Sequence, residues 1–191
     1  EMLLNDRNLD DLREVLKTDN IGIRWFDDTG GDGSVIVTPP SEYRLQSDQP
    51  GWNNLMIGGY FGTGLLQVTG AGAVATVLAP SAPTGETRVT VGADANFPGG
   101  GSGRIEALDG GLFRILGSGS GPQGTGRLEV APVFGNGTVL VDGGTVSLSG
   151  FATAELGVGT TSGTGLVTVQ DGGRVLMAGN GASHLIIGPD G

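Results

Sequence analysis

Apolar and polar residues alternate in several short segments of this chain, and glycines bound each segment. The stretch 163–177 reads GTGLVTVQDGGRVLM, in which apolar residues alternate with small or polar ones on both sides of an Asp-Gly-Gly turn. Such alternation is typical of a β-strand with one buried face. Gly permits the backbone conformations that tight corners require. The pattern predicts short strands joined by Gly-rich corners.

The same phrase recurs along the chain. Copies begin at Gly62, Gly101, Gly135 and Gly163, and the third copy is shorter by one residue. A second apolar segment precedes most copies, as at 55–58, 89–92, 155–159 and 185–188, and a third follows each Gly-Gly pair. A period of roughly 30–40 residues is typical of solenoids and propellers. We therefore predict an all-β parallel β-helix (β-solenoid) with three short strands per coil over residues 55–191.

The first 54 residues differ from the repeats. Leu9, Leu12 and Leu16 share one helical face, which predicts a short amphipathic α-helix over residues 8–17. The end of a solenoid exposes a strand edge and an apolar cross-section that something must cover. We expect residues 1–54 to form an N-terminal cap. Asp-Gly-Gly is also compatible with antiparallel hairpins, but the recurring order of three segments favours coils.

The repeats resemble a known style of bacterial repeat. The pattern LxIGxxGTGxLxVxGGxxL runs from Leu55 through Val74, again from Glu155 through Met177, and in part at 185–188. It is similar to the repeats of autotransporter passenger domains and of PEP-CTERM-type surface proteins, although residues 75–100 and 114–134 depart from it. The resemblance implies a right-handed parallel β-helix that lies outside the cell or on the bacterial surface. Such proteins are mostly adhesive or self-associating, and some are enzymes.

Composition narrows the range of partners. The formal net charge is −10 with only 10 Lys and Arg residues, which argues against binding to nucleic acid or to an anionic membrane surface. There is no Cys and no apolar run long enough to span a membrane. The chain opens at Glu1 and stops within a repeat at Gly191, so we expect it to be a segment of a longer protein, truncated at its C-terminus.

One row of aspartates is the first candidate for chemistry. Asp109, Asp142 and Asp171 each precede Gly-Gly, and we expect them to occupy equivalent positions and stack into an acidic ladder. Such a ladder would form a cation-binding edge or would supply the paired carboxylates of a glycoside hydrolase. The simpler interpretation is that Asp favours the first position of a turn.

Three other features carry alternatives. Asp28 and Asp32 lie in a DDTGGDGS stretch that suits either a calcium loop or a solvated turn, so calcium is the only cofactor that the sequence raises. His184 is the only histidine, and we expect it at a surface or corner rather than in a catalytic triad. Most aromatic residues lie near the N-terminus, where they suit a buried plug or a sugar-stacking platform: Trp25, Phe26, Tyr43, Trp52, Tyr60 and Phe61.

The sequence therefore favours a non-enzymatic extracellular or cell-surface module that acts as a structural stalk or adhesive surface. Its expected partners are a host or matrix surface, a polysaccharide or further copies of itself. The alternatives are a β-helix that binds or processes polysaccharide and a self-associating, fibre-forming module. We expect no nucleic acid partner and no membrane insertion of this segment.

Overall fold

The computed structural model describes residues 19–21, 32–46, 53–58, 62–79, 85–92, 100–117 and 123–188. Every regular element in these ranges is a β-strand. The strands are β1 (Asp19–Ile21), β2 (Asp32–Val37), β3 (Glu42–Gln46), β4 (Asn53–Ile57), β5 (Thr63–Thr69), β6 (Val74–Leu78), β7 (Glu86–Val91), β8 (Ser102–Leu108), β9 (Leu112–Leu116), β10 (Gln123–Val130), β11 (Asn136–Asp142), β12 (Thr145–Val158), β13 (Thr164–Gln170) and β14 (Arg174–Ile187). The helix predicted over residues 8–17 lies outside the described residues.

The strands wind into a parallel β-solenoid with three faces. Face 1 is a five-stranded sheet of β2, β5, β8, β11 and β13. Face 2 contains β3, β6, β9 and the first parts of β12 and β14, whereas face 3 contains β1, β4, β7, β10 and the second parts of those two long strands. Since the chain crosses face 1 five times, it completes four turns between β2 and β13. The all-β fold and the coiled, parallel arrangement are confirmed.

The described strands do not form hairpins. Every ladder between them is parallel, and the only antiparallel pairing in these ranges is an isolated bridge between Leu108 and Gly143. The Gly residues predicted to begin each copy are equivalent, because the N–H groups of Ser102, Asn136 and Thr164 donate to the carbonyl oxygens of Gly62, Gly101 and Gly135. The coils also extend N-terminally past residue 55, since β2 and β3 pair with β5 and β6.

Aliphatic side chains fill the interior in rows that run along the solenoid. On each strand every second residue points inward, so it stacks on the residue in register with it one coil away. Face 1 supplies the row Val35, Leu66, Ile105, Val139 and Val167. Face 2 supplies Leu45, Val77, Ile115, Leu148 and Met177. Face 3 supplies Leu55, Val89, Leu128, Leu156 and Leu185. Apart from the exposed Leu185, the residues of these rows belong to one continuous core.

The corner between faces 3 and 1 requires a left-handed backbone conformation. The residue after each face 3 strand from β4 onward has positive φ, and after four of these five strands it is a glycine: Gly58, Gly92, Gly159 and Gly188. In the remaining coil Ala131 takes this position with φ 49°. Four coils therefore have at this corner a glycine, which adopts positive φ without steric cost, whereas one coil has an alanine.

Among the described residues, the coil formed by β13 and β14 has a neighbouring coil on one side only. Val169, Leu185 and Ile187 continue core rows whose members are buried in the preceding coil, yet they are 48%, 57% and 73% exposed. Leu166 and Leu176 are also exposed on these two strands. This edge, formed by residues 164–187, is called the C-terminal edge below.

Candidate functional site

The three aspartates of the predicted row lie at the same corner, between faces 1 and 2, but not at equivalent positions. Asp142 ends β11 and pairs in register with Leu108 and Gln170, whereas Asp109 and Asp171 follow those residues. The expectation of equivalent, stacked aspartates is therefore wrong. The cause is the shorter third copy: its corner has two residues between the strands, where the neighbouring coils have three. Asp142 consequently belongs to the strand and not to the turn.

The aspartates differ in conformation as well as in position. Asp109 and Asp171 have φ 51° and 50°, and the glycine after each also has positive φ. The N–H of the residue after that glycine, Gly111 or Gly173, donates to the carbonyl oxygen three residues earlier at 2.8 Å, as in a type I′ turn. Asp142 instead accepts a hydrogen bond from Gln170, with 2.9 Å between Nε2 and Oδ2. Two of the three aspartates thus serve turn geometry.

The described residues contain no group of three or more His, Asp or Glu side chains that could hold a metal ion. Asp28 lies outside the described residues, and Asp32 is described only as the first residue of β2. Calcium binding at the 27–34 stretch therefore stays a prediction. Ligand binding at the aspartate corner also stays a prediction. A site there cannot consist of three carboxylates in register, because Asp142 is not in register with Asp109 and Asp171.

Charged side chains on face 3 form the most extensive polar arrangement in the described chain. Arg88, Arg127, Glu155 and His184 are in register on four successive strands and point away from the core. Glu86 and Glu129 lie beside this row on β7 and β10. These six residues are called the face 3 ladder below. His184 is 55% exposed at its end, with Nδ1 3.6 Å from Oε1 of Glu155, as expected for a surface position.

The charged side chains of the face 3 ladder pair with one another. Arg88 lies directly opposite Arg127, a pairing of like charges that by itself is destabilising. Glu86 Oε1 lies 2.8 Å from Nη2 of Arg88 and 3.2 Å from Nε of Arg127, and Oε2 of Glu155 lies 2.8 Å from the same Nε. Glu129 contacts both arginines at 3.6 and 3.8 Å. Three carboxylates thus surround two guanidinium groups, and the arrangement is a network rather than separate pairs.

A smaller polar group lies on the outer side of face 1. Glu106 is 8% exposed although it points away from the core. It accepts a hydrogen bond from Gln67 of the preceding coil and forms a salt bridge of 2.5 Å with Arg104 on its own strand. Arg104 and Gln67 therefore satisfy this nearly buried carboxylate, which is held in place rather than presented to solvent.

Tyr43 is the only residue of the predicted aromatic platform whose side chain is described. It is 2% exposed and stacks in the face 2 core against Ala75. This residue therefore belongs to the core, and the platform interpretation does not hold for it. The other five residues lie outside the described residues: Trp25, Phe26, Trp52, Tyr60 and Phe61.

No protein family, curated protein or solved structure matches this chain. In the described residues, no helix is both long and apolar enough to pass through a membrane. Any function of this chain therefore has to be inferred from its geometry. In the described residues this geometry consists of a continuous aliphatic core, several charged side chains that pair with one another on the outer faces, and core rows that are exposed in the last coil.

Proposed function

We propose that this chain is a non-enzymatic module of a bacterial surface or secreted protein, in which the solenoid acts as a structural stalk with an adhesive face. The observation that carries the proposal is the face 3 ladder. Its carboxylates and guanidinium groups lie along the solenoid on three successive strands, β7, β10 and β12, and contact one another. A catalytic centre instead needs groups that converge on a small reacting volume.

The solenoid itself suits a load-bearing role. Each coil is joined to the next by parallel ladders on three faces, and the core rows run without interruption from β2 to β14. In repeat proteins of this kind, each repeat is stabilised mainly by its neighbours, so length is added without a change in architecture. The side chains of face 3 would then present a regular pattern of both charges to a partner surface.

A binding panel tests this proposal. The 191-residue chain is applied to immobilised polysaccharides and matrix proteins, and both retention and released sugar are measured. The test variant carries Arg88→Ala and Arg127→Ala, and the matched control carries Arg104→Ala on face 1. We expect retention without sugar release, reduced in the face 3 variant and unchanged in the control. Sugar release would overturn the non-enzymatic assignment, and equal retention by both variants would exclude face 3 as the adhesive surface.

The C-terminal edge favours self-association as a second candidate function. Five of the seven exposed large apolar side chains in the described chain lie on β13 and β14. The edge sequence 164–187 contains neither Lys nor Pro, the residues that commonly block strand addition. A second copy that offers the same edge would cover the exposed core rows of both copies through an isologous contact.

Sedimentation over a range of protein concentrations tests self-association. Leu185→Lys and Ile187→Lys replace side chains that are already mostly exposed, so both variants should fold. Ile36→Lys, at an exposed position on face 1, is the matched control. We expect the wild type and the control to dimerise with rising concentration and the edge variants to stay monomeric. A strictly monomeric wild type at high concentration would exclude this function.

A further inference from the structure

The charges of the described strands are distributed unevenly over the three faces of the solenoid. The strands of face 2 carry three arginines, Arg44, Arg114 and Arg174, but only one carboxylate, that of Glu42. On the strands of faces 1 and 3, carboxylates outnumber arginines. Face 2 is therefore the described face with an excess of positive charge, although the whole chain has a formal net charge of −10.

The three arginines of face 2 lie along the solenoid and point away from the core, because they alternate with its buried residues. Arg44 on β3 and Arg114 on β9 belong to one row, since both are in register with Thr76 on the strand between them. Arg174 lies two strands further along, on β14, in register with Thr145 of β12. Neighbouring strands are about 4.8 Å apart, so the three arginines span roughly 20 Å along the solenoid, about one arginine per 10 Å.

These guanidinium groups are accessible to a partner. Arg44 and Arg174 are exposed, and neither forms a salt bridge with another described residue. The side chain of Arg114 is 36% exposed, and its Nη2 lies 3.6 Å from Oε1 of Glu42. Its Nε donates a hydrogen bond of 2.8 Å to Oγ1 of Thr76. Arg114 is thus held in position, and because a guanidinium group has five N–H donors, it keeps donors for a further acceptor.

We propose that face 2 binds a linear acidic polysaccharide of the polyuronate class, whose carboxylates accept hydrogen bonds from Arg44, Arg114 and Arg174. A guanidinium group matches a carboxylate in shape and can donate two parallel N–H bonds to it. A polyuronate carries one carboxylate on each sugar, so its charges recur along an extended chain as the arginines recur along the solenoid. The hydroxyl groups of Thr145 and Ser147 lie on β12, between the strands of Arg114 and Arg174, where they can bond to sugar hydroxyls.

The spacing of the positive charges favours this ligand over a nucleic acid. Double-stranded DNA has one negative charge per about 1.7 Å of its axis, far more than face 2 can pair. The unpaired phosphates would be repelled by a chain whose formal net charge is −10. The inference extends the proposed adhesive function to a second surface and does not depend on the face 3 ladder, whose charges contact one another.

Calorimetric titration with polygalacturonate tests the proposal. The 191-residue chain is titrated with this polymer, and with the same polymer after full methyl esterification, which removes its charge. The test variants are Arg44→Gln and Arg174→Gln, which alter exposed side chains and should fold. The matched control is Arg104→Gln, which removes the same charge from face 1. Glu42→Gln tests the opposite direction, because it removes the one carboxylate described on face 2. Thermal unfolding of each variant checks that it is folded.

We expect the acidic polymer to bind and its methyl ester not to bind. Arg44→Gln and Arg174→Gln should each weaken binding roughly three- to tenfold, since each removes one hydrogen-bonded ion contact. Glu42→Gln should tighten binding roughly two- to fivefold, and Arg104→Gln should leave it unchanged. Equal binding of the ester, or equal affinities of the wild type and both face 2 arginine variants, would overturn the proposal.

The remaining outcomes separate face 2 from other surfaces and ligands. Loss of polygalacturonate binding in the Arg88→Ala, Arg127→Ala variant, with the face 2 variants unaffected, would overturn this inference and leave the adhesive role of face 3 intact. Tighter binding of double-stranded DNA than of polygalacturonate would overturn the choice of ligand. A dimer, seen by sedimentation, that Arg44→Gln dissociates would assign face 2 to a second copy of the chain and overturn the inference.

Discussion

Replacing Gly126 by alanine tests the packing where faces 2 and 3 meet. Phe151 is 1% exposed and pairs in register with Gln123 on β10, the strand that carries Gly126. A Cβ on Gly126 would overlap Cδ2 and Cε2 of the Phe151 ring and lie 2.8 Å from its Cγ. Because the ring is enclosed by the core, it can relieve this overlap only by displacing its neighbours.

The expected cost combines two opposing effects. Forcing extra volume into a well-packed core costs about 1–3 kcal/mol. Alanine is favoured over glycine within a strand by roughly 0.5–1 kcal/mol, which offsets part of that loss. We therefore expect Gly126→Ala to lower the free energy of unfolding by about 1–2 kcal/mol. For a chain of this size each kcal/mol corresponds to a fall in Tm of about 2–4 °C.

Thermal and urea unfolding followed by circular dichroism would measure this cost. Gly100→Ala is the control, since a Cβ at that position meets no atom within 4 Å. Phe151→Leu, combined with Gly126→Ala, should recover part of the loss, with a coupling free energy of about 1 kcal/mol between the two positions. A Gly126→Ala variant as stable as Gly100→Ala would show that the Phe151 ring does not restrict this position, and so would a cost that Phe151→Leu leaves unchanged.

Three further substitutions probe other contacts through the free energy of unfolding. Glu129→Gln should leave Arg88 and Arg127 less well screened from each other and lower the free energy of unfolding by about 1 kcal/mol. This loss should shrink in 1 M salt, where the Debye length is about 3 Å. An equal loss at high salt would contradict the electrostatic explanation. Thr87→Val should stabilise the fold by about 1 kcal/mol, because the buried Thr87 hydroxyl has no partner among the described residues; a loss of stability would indicate an unseen partner. Gly103→Ala should prevent folding, since its Cβ would overlap backbone atoms of two neighbouring strands; a folded variant would show that the backbone can yield there.

The solenoid could be predicted from the sequence because its determinants are local. The alternation of Val167 and Val169 with Thr168 and Gln170 specifies a strand, and Gly62 and its equivalents mark where each copy begins. Both features depend on residues close together in the chain. Neither feature depends on which coils are neighbours in the fold. Once the repeats are interpreted as successive coils, parallel sheets follow, because equivalent strands of successive coils run in the same direction.

The face 3 ladder could not be predicted in the same way. Arg88, Arg127, Glu155 and His184 lie on four different strands, and the loops between those strands differ in length. No fixed spacing connects them, and the sequence pattern around Arg127 matches the repeat only in part. Only the register of β7, β10, β12 and β14 places the four side chains in one row. The sequence feature that could have indicated the ladder was the presence of opposite charges at the outward-facing positions of these strands.

The aspartate corner shows why register and motif can disagree within one repeat. The segments between the face 1 and face 2 strands differ in length, being 70–73 after β5, 109–111 after β8, 143–144 after β11 and 171–173 after β13. The strands on either side nevertheless keep their register, because backbone ladders and core rows fix their positions. A corner can therefore lose a residue while the strands stay in place. When it does, an Asp-Gly-Gly motif shifts relative to the ladder, and Asp142 moves from the turn into β11. Chemistry that depends on stacking should consequently be inferred from strand positions and not from matching corner residues.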